Sequence, residues 1–362
     1  MYYLVYLTDR CNLFCRYCDS AGQRILHGHE IAYDFDRLID FLLRDGDVSL
    51  KLYGGEPLLR VDLIEQLLAR VPCRHVALQT NGTLLDQLPA TLFEKIDVIS
   101  LSLDGPADVT DFKRGRGTYD QVIAQARQLR RRGFRGPFDV RMTISPGVDI
   151  ERSVRHFCAG RAVRFCNIHW QLTALFRSDE WGGLRAARVR DWFEQSYNPG
   201  ISSLVRFWTD ELVAGRYHRI VPFAPLIHDL ITGDRVSSVR CGSGWAMWSI
   251  DSNGDIYPCP VMRWYPQHRL GNIADADPAA LPQQPAREPC ASCDLLGLCG
   301  GRCLHAQWHN AWGPAGFALV CQSIRHLLAE LTEVAPIVEQ LIAEQRLALD
   351  DLLIGGDYEK IP

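Results

Sequence analysis

Apolar and polar positions fall in blocks along the first half of the chain, and the blocks alternate between two periods. YYLVYLT (2–8) is a nearly unbroken apolar run, the pattern of a strand buried on both faces. Residues 33–44 place Phe35, Leu38, Ile39 and Leu42 at helical spacing. VSLKLY (48–53) predicts a second strand, LIEQLLARV (63–71) a helix, HVALQT (75–80) a third strand and DVISLSL (97–103) a fourth. A helix at 118–132 precedes strands at FDVRMTI (138–144) and VRFCNIHWQL (163–172). Six strands alternating with helices predict parallel βαβ units, in an open doubly wound sheet or a partial barrel. In either case the loops after the strands carry the chemistry.

The second half reads differently. Residues 180–238 have several tryptophans and a helical texture but no motif. From Cys241 to about residue 321, Gly, Pro and Cys become frequent and periodicity fades, as in a small domain organised by metal. Leu and Ile return at helical spacing over roughly 322–350.

The net charge of −4 over 362 residues offers no footprint for nucleic acid or a basic membrane surface. The run Arg127, Arg130, Arg131 and Arg132 reads as a solvated helix face. No stretch of 18 apolar residues predicts a membrane span, and no signal peptide is evident. Thirteen cysteines without an export signal point to a reducing, cytoplasmic setting and to metal instead of a disulfide framework.

Cys11-x3-Cys15-x2-Cys18 follows the first strand directly. Three thiolates on one loop suit a single soft-metal centre. Structural zinc takes a fourth protein ligand. A [4Fe–4S] cluster is normally held by four cysteines, so three leave one iron open. A zinc loop is the alternative reading.

This spacing resembles the signature of radical S-adenosylmethionine (SAM) enzymes, and a motif of that superfamily stands at each following strand end. The resemblance implies that the open iron is chelated by the amino and carboxylate groups of SAM. Tyr17 takes the aromatic position of the signature, near the adenine. Gly54-Gly55-Glu56-Pro57 matches the motif that grips the SAM amino group, its glycines admitting a close backbone approach to the ligand. By the same resemblance Thr80 and Asn81 after the third strand would line the SAM pocket, with Ser102 and Asp104 near the ribose. Arg114 matches an arginine that pairs with the SAM carboxylate, a task suited to a planar guanidinium. Arg141 is a second candidate, or the partner of a buried acid. His169 to Leu172, with Gln171 among them, end the strand on which the family packs adenine, and His169 itself reads as a core histidine. The implied fold is α/β, a partial (β/α)6 TIM-type barrel.

Cys241, Gly254-x4-Cys259, Cys290-x2-Cys293-x5-Cys299-x3-Cys303 and Cys321 resemble the seven-cysteine SPASM domain, which holds two auxiliary [4Fe–4S] clusters. By that resemblance Cys241, Cys259 and Cys303 bind the first, and Cys290, Cys293, Cys299 and Cys321 the second. The first is one ligand short, because Met247 stands where some relatives have a further cysteine. Paired zinc sites are the alternative. Cys73, Cys158 and Cys166 match no motif and read as buried small hydrophobes. Sulfatase maturases carry a base immediately after the G-x4-C cysteine. Here that residue is Pro260, which cannot take a proton, and Tyr257 or His305 is the candidate substitute. The ten residues before Cys11 do not accommodate the winged-helix leader-binding domain of many peptide-modifying relatives.

The expected organisation is a radical SAM partial barrel at 1–178, a helical bridge at 179–238, an auxiliary-cluster SPASM domain at 239–325 and a C-terminal helix and tail at 326–362. The expected activity is reductive cleavage of SAM to a 5'-deoxyadenosyl radical that abstracts hydrogen from a peptide or small protein, ending in a crosslink or thioether. The expected cofactors are three [4Fe–4S] clusters and SAM. The expected electron donor is an external flavodoxin- or ferredoxin-type protein. The chain also resembles a short-N-terminus group assigned to peptide modification. A small-molecule dehydrogenase or rearrangement enzyme is the alternative activity, and a non-catalytic iron–sulfur or zinc protein the alternative class.

Overall fold

The first apolar run becomes β1 (Tyr2–Tyr6), buried because it is flanked on both edges. It pairs in parallel with β2 (Ser49–Tyr53) on one side and with β8 (Met247–Ile250) on the other. The computed structural model describes residues 1–18, 30–160, 163–172, 183–309, 313–354 and 361–362, so the expected boundary at 178/179 lies outside the described residues. Contacts divide the chain into two units. One comprises Met1–Val140, Ala162–Arg164 and Gly242–Gln284, and the other Arg141–Arg161, Phe165–Cys241 and Pro285–Pro362. The residues expected as one segment, 239–325, are thus shared between the units.

In the first unit the strand order is β10-β9-β8-β1-β2-β3-β4. β3 is His75–Thr80, β4 Val98–Ser102, β9 Asp255–Tyr257 and β10 Gly271–Asn272. β1 to β4 run in parallel, whereas β8, β9 and β10 are joined antiparallel. The turn between β8 and β9 places Gly254 at φ +83°, a left-handed conformation that suits glycine, and its N–H donates to the Asp251 carbonyl at 2.9 Å. This explains the glycine of the G-x4-C element.

The helices cover the strands as the pattern requires. α1 (Phe35–Leu43) starts where the Asp34 carboxylate accepts from the Asp36 N–H, and it buries Phe35, Leu38, Ile39, Phe41 and Leu42. α2 (Val61–Arg70) buries Leu63, Ile64, Leu67 and Leu68. α3 (Ala107–Arg114) is a short helix that the apolar pattern does not announce, and α4 (Thr118–Arg131) follows it. The arginine run near the end of α4 is more than a solvated face. Arg130 lies 4.0 Å over the Phe138 ring and donates to the Phe134 and Gly136 carbonyls, and Arg132 donates to the carbonyls of Asp86 and Leu88.

The chain passes from the first unit to the second within β5 (Phe138–Ile144). α5 (Ile150–Cys158), β6 (Asn167–Leu172) and β7 (Arg219–Ile220) belong to the second unit, where β6 and β7 pair in parallel. β6 begins four residues later than the apolar run suggests. The six strands β1 to β6 alternate with helices in the partial, unclosed α/β arrangement expected. α6 (Gly183–Trp192), α7 (Asn198–Val213) and α8 (Ala224–Thr232) form the helical stretch. α9 (Leu296–Cys299), α10 (Leu304–His309) and α11 (Gly313–Ala343) complete the unit. α11 packs on α7, where Ser202 Oγ meets His326 Nε2 at 2.9 Å and donates to Glu330 at 2.5 Å.

Candidate functional site

The three-cysteine loop grows out of β1 and is held by its neighbours' backbones. Beyond the strand ends the β1–β2 pairing continues: Leu7 N–H donates to Tyr53 O (3.0 Å), Gly55 N–H to Thr8 O (2.8 Å) and Glu56 N–H to Arg10 O (2.8 Å). Gly54 and Gly55 are needed for this approach. A Cβ on Gly55 would stand 2.6 Å from the Asp9 carbonyl oxygen and closer still to that of Arg10. The approach these glycines permit is therefore to the root of the cysteine loop, one residue before Cys11.

Other strand ends grip the same loop. Asn81, just past β3, donates from Nδ2 to Asn12 Oδ1 (2.8 Å) and lies 3.9 Å from Cys11 Sγ, while Asn12 donates to Thr83 Oγ1 at 2.8 Å. Arg16 N–H donates to the Lys113 carbonyl at 2.9 Å, tying the loop to α3. The Tyr17 hydroxyl donates to Asp104 (3.3 Å), the residue two past β4. Asp104 is fully buried and accepts a two-pronged contact from Arg114, Nε at 2.8 Å and Nη2 at 3.0 Å, which compensates its charge. Burial pulls the neighbouring Lys113 ammonium down to about 8, against the raising pull of Asp104, and its Nζ lies 5.5 Å from the Tyr17 ring centroid. Ser102 closes β4, half-buried.

Glu56 ties β2 to β3. Its carboxylate accepts from Leu58 N–H (3.1 Å), Thr80 Oγ1 (2.7 Å) and Asn81 N–H (2.8 Å), and Pro57 beside it is buried at the start of a short 3-10 turn. Burial raises its pKa to about 7, because three hydrogen bonds to the ionised form offset desolvation only in part. A carboxyl raised in the fold from 4.5 to about 7 makes the folded state bind the proton more tightly. Its contribution to stability is full below the unfolded value and is lost as pH rises through that window, by about 3 kcal/mol. Glu56→Gln would remove this titration and set an amide NH2 against a backbone N–H, a mismatch of about 1–3 kcal/mol. The gap in melting temperature between wild type and Glu56→Gln is expected to widen from about pH 7.5 to about pH 5.5.

The donor sets fit iron–sulfur clusters better than zinc. Tetrahedral zinc holds its sulfurs about 3.8 Å apart, given a Zn–S bond near 2.3 Å. Among the described residues only His228, Asp229 and Asp234 bring three ligand atoms within 4.8 Å of one another, and there Arg240 already pairs with Asp229 at 2.6 Å. No three cysteine sulfurs among the described residues all lie within 4.8 Å of one another, a wider spread than tetrahedral zinc imposes. Burial pushes the Cys15 thiol up to about 11, against the pull of Arg114. In the second unit Cys290, Cys293, Cys299 and Cys321 line one cavity of about 50 Å³ with Leu296, Phe317, Val320 and Ile324. Four thiols converging in an apolar wall suit a cluster held entirely by protein. Burial pushes Cys290 up to about 12 and Cys299 up to about 11.

The remaining candidates are divided. Cys259 belongs to the first unit, at the head of a 3-10 turn that begins with Pro260, as do Tyr257 and Met247. Cys241, Cys303, His305, Arg141 and Gln171 belong to the second. His169 is fully buried. Cys73 and Cys158 are half-buried, but Cys166 is exposed, which corrects its reading as a buried hydrophobe.

One cluster escaped sequence reasoning. Arg263, four residues past Cys259, donates to both oxygens of Asp9 (2.7 and 3.0 Å), meets Asp251 at 2.5 Å and lies 4.2 Å over the Tyr6 ring. Ser252 Oγ donates to Asp9 at 2.7 Å. Asp9 stands two residues before Cys11, so this buried group ties the segment after Cys259 to the cysteine loop. Its only sequence signal is the charge placed in otherwise apolar surroundings.

Comparison with known proteins agrees with this geometry. The radical SAM superfamily model matches residues 5–157, and the SPASM iron–sulfur cluster-binding domain model matches residues 241–294. The chain is 24% identical over 355 residues to a cysteine-type anaerobic sulfatase-maturating enzyme of Clostridium perfringens, covering 88% of this chain and 92% of that protein. It is 27% identical over 324 residues to the mycofactocin maturase MftC of Mycobacterium tuberculosis, covering 83% and 78%. Among solved structures, native anSMEcpe with bound AdoMet and Cp18Cys peptide superposes with a TM-score of 0.72 at 21% identity, covering 93% of this chain and 99% of that one.

Proposed function

The chain carries a radical SAM domain followed by a SPASM iron–sulfur domain, and we infer that it is a maturase acting on a peptide or small protein. The observation that carries the reading is the set of loops after β1 to β4, which lock three cysteines beside the Tyr17–Asp104–Arg114 group. Cys11, Cys15 and Cys18 would hold a [4Fe–4S] cluster with one iron left for SAM. The 54–57 loop, Thr80, Asn81, Ser102, Asp104 and Arg114 would line the SAM pocket; Arg141 and Gln171 are candidates by the sequence resemblance alone. Such a cluster, with SAM bound, supplies one-electron cleavage of the sulfonium and abstraction of a substrate hydrogen. Cys290, Cys293, Cys299 and Cys321 would hold one auxiliary cluster; the assignment of Cys241, Cys259 and Cys303 to another rests on the sequence resemblance alone.

The protein's own part is positioning. Arg114, paired with Asp104, orients the carboxylate that receives the Tyr17 hydroxyl and keeps the edge of the pocket rigid. Glu56 holds the β2 and β3 loop ends at a fixed spacing. Pro260 has no side-chain proton acceptor, so the reading leaves out the side-chain oxidation for which sulfatase maturases use a base at that position. A crosslink or thioether, each removing two hydrogens from the substrate, is the outcome favoured. The names of the relatives, one a sulfatase-maturating enzyme and one a mycofactocin maturase, support a peptide over a small molecule. No helix among the described residues is long and apolar enough to cross a membrane.

Anaerobic reconstitution with iron, sulfide, dithionite and SAM tests the enzyme class. The expected result is 5'-deoxyadenosine from wild type and only background from Cys15→Ala. A loaded, reduced wild type that makes none would overturn the class. Co-expression with a candidate peptide is expected to yield a product lighter by two hydrogens per bond. Turnover stimulated by a small molecule, with every peptide unchanged, would move the reading to small-molecule chemistry.

A further inference from the structure

Three consecutive residues between Cys299 and Cys303 have a left-handed backbone: Gly300 at φ +69°, Gly301 at +78° and Arg302 at +59°. Space explains the glycines. A Cβ on Gly300 would stand 2.4 Å from the Ser238 carbonyl oxygen, and one on Gly301 would stand 2.5 Å from Gln307 Nε2. The conformation at 302 again favours glycine, yet the chain carries a long cationic side chain there. Gln345, the other non-glycine residue described at positive φ, is exposed just past the end of α11. Arg302 is 4% exposed and lines the cavity of Cys290, Cys293, Cys299 and Cys321. A buried residue kept in a backbone conformation that disfavours it points to a use for its side chain.

The Arg302 guanidinium is fixed from one side, where its Nε donates to the Pro362 carbonyl oxygen at 2.8 Å. Burial raises the Cys299 thiol, and the Arg302 charge acts the other way, in favour of the thiolate. A second arginine, Arg325, lines the same cavity, but its side chain is 51% exposed and forks both oxygens of Asp294 at 2.6 and 3.0 Å. Solvent and that carboxylate screen its charge. Four thiolates around a [4Fe–4S] core leave a net negative centre, and an electron taken up adds one more negative charge. A buried cation in the wall favours that more negative form, because little water screens it. Resting on the functional reading above, we propose that Arg302 tunes the four-cysteine centre, its guanidinium raising the reduction potential above what thiolates in an apolar wall would give alone. Loss of two hydrogens from a peptide leaves one electron to be taken up once a hydrogen atom and a proton have gone. A centre held at a higher potential is the better acceptor for it.

The test is an anaerobic redox titration of the reconstituted full chain, followed by electron paramagnetic resonance. The signal of the four-cysteine centre is identified as the one missing from Cys290→Ala/Cys293→Ala. Arg302→Gln removes the charge, Arg302→Gly removes it while suiting the left-handed backbone, and Arg302→Lys keeps it. The expected result for Gln and Gly is wild-type iron per chain and a one-electron equilibrium shifted about tenfold away from reduction, a midpoint lower by about 59 mV. Lys should recover about half of that shift or more. Arg325→Gln, which removes a screened charge from the same cavity, should stay within about twofold of wild type. An unshifted midpoint in Gln and Gly with full iron overturns the proposal, as does an equal shift in Arg325→Gln. Loss of iron from Gln alone leaves the decision to Gly, and loss from both would make Arg302 a structural residue and overturn the proposal as well. A wild type with no iron signal from this cavity would overturn both the cluster assignment and the proposal. A wild type that shows the signal but makes no 5'-deoxyadenosine with dithionite would overturn the enzyme reading alone, and the measured midpoints would still decide the role of Arg302.

Discussion

Gly55→Ala is expected to strip the protein of its loop-bound iron while leaving the cavity of Cys290, Cys293, Cys299 and Cys321 able to load. The new methyl would enter the space of the Asp9 and Arg10 carbonyl oxygens, 2.6 Å from the first. Both are backbone atoms, so no side chain can swing aside. Relief requires parting the Gly55–Thr8 and Glu56–Arg10 hydrogen bonds, each 2.8 Å long. Overpacking of this kind costs about 1–3 kcal/mol where side chains can yield, and more where they cannot. The displaced segment leads straight into Cys11, and a shift of about 1 Å in a reacting geometry costs roughly 100-fold in rate. Iron per chain should therefore fall by one cluster's share, and SAM cleavage should fall at least as far as that rate estimate. Gly46→Ala is the control, since a Cβ there meets nothing within 4 Å. A Gly55→Ala protein with full iron and normal 5'-deoxyadenosine output would refute the role given to this glycine.

What could be read from the chain was local. β3 and β5 coincide with their apolar runs, because burial on both faces leaves its mark residue by residue. The cysteine spacings are equally local, and so were visible. α3 was not, since its buried residues Thr110, Lys113 and Arg114 are polar and its position is set by contacts to the cysteine loop. β8 was not, because MWSI owes its strand to pairing with β1, far away in sequence. The helix expected over 322–350 runs instead over Gly313–Ala343, starting earlier because the Cys321 segment is itself helical. The glycine pair illustrates the same limit: its need for space was legible, but the occupant of that space was the chain's own backbone. Arg263 and Asp9, 254 residues apart, could not be matched by any spacing rule.

That pair carries the second large effect. Arg263 is one buried cation shared by two buried carboxylates, and burial already raises the Asp251 carboxyl above its usual range against the lowering pull of Arg263. Arg263→Met keeps the bulk over Tyr6 and removes the charge, leaving Asp9 and Asp251 without their cation. Breaking a buried pair by removing one partner costs about 3–5 kcal/mol, because the remaining charge stays desolvated. Arg263→Lys should fall between, since an ammonium cannot offer the fork that meets both Asp9 oxygens. Asp9→Asn combined with Arg263→Met should recover part of the loss, with a coupling of about 0.5–3 kcal/mol in a double-mutant cycle. The pH dependence separates lost charge from lost packing. Without the guanidinium, the Asp251 carboxyl, already raised by burial, loses the cation that lowers it, so the variant's fold takes up a proton on acidification. Its deficit should be largest near neutrality, where the acids are forced to ionise, and should shrink as pH falls toward about 5. A deficit in melting temperature that stayed constant with pH would mean that Arg263 acts by filling space, and one that grew toward acid would contradict the buried carboxylates altogether.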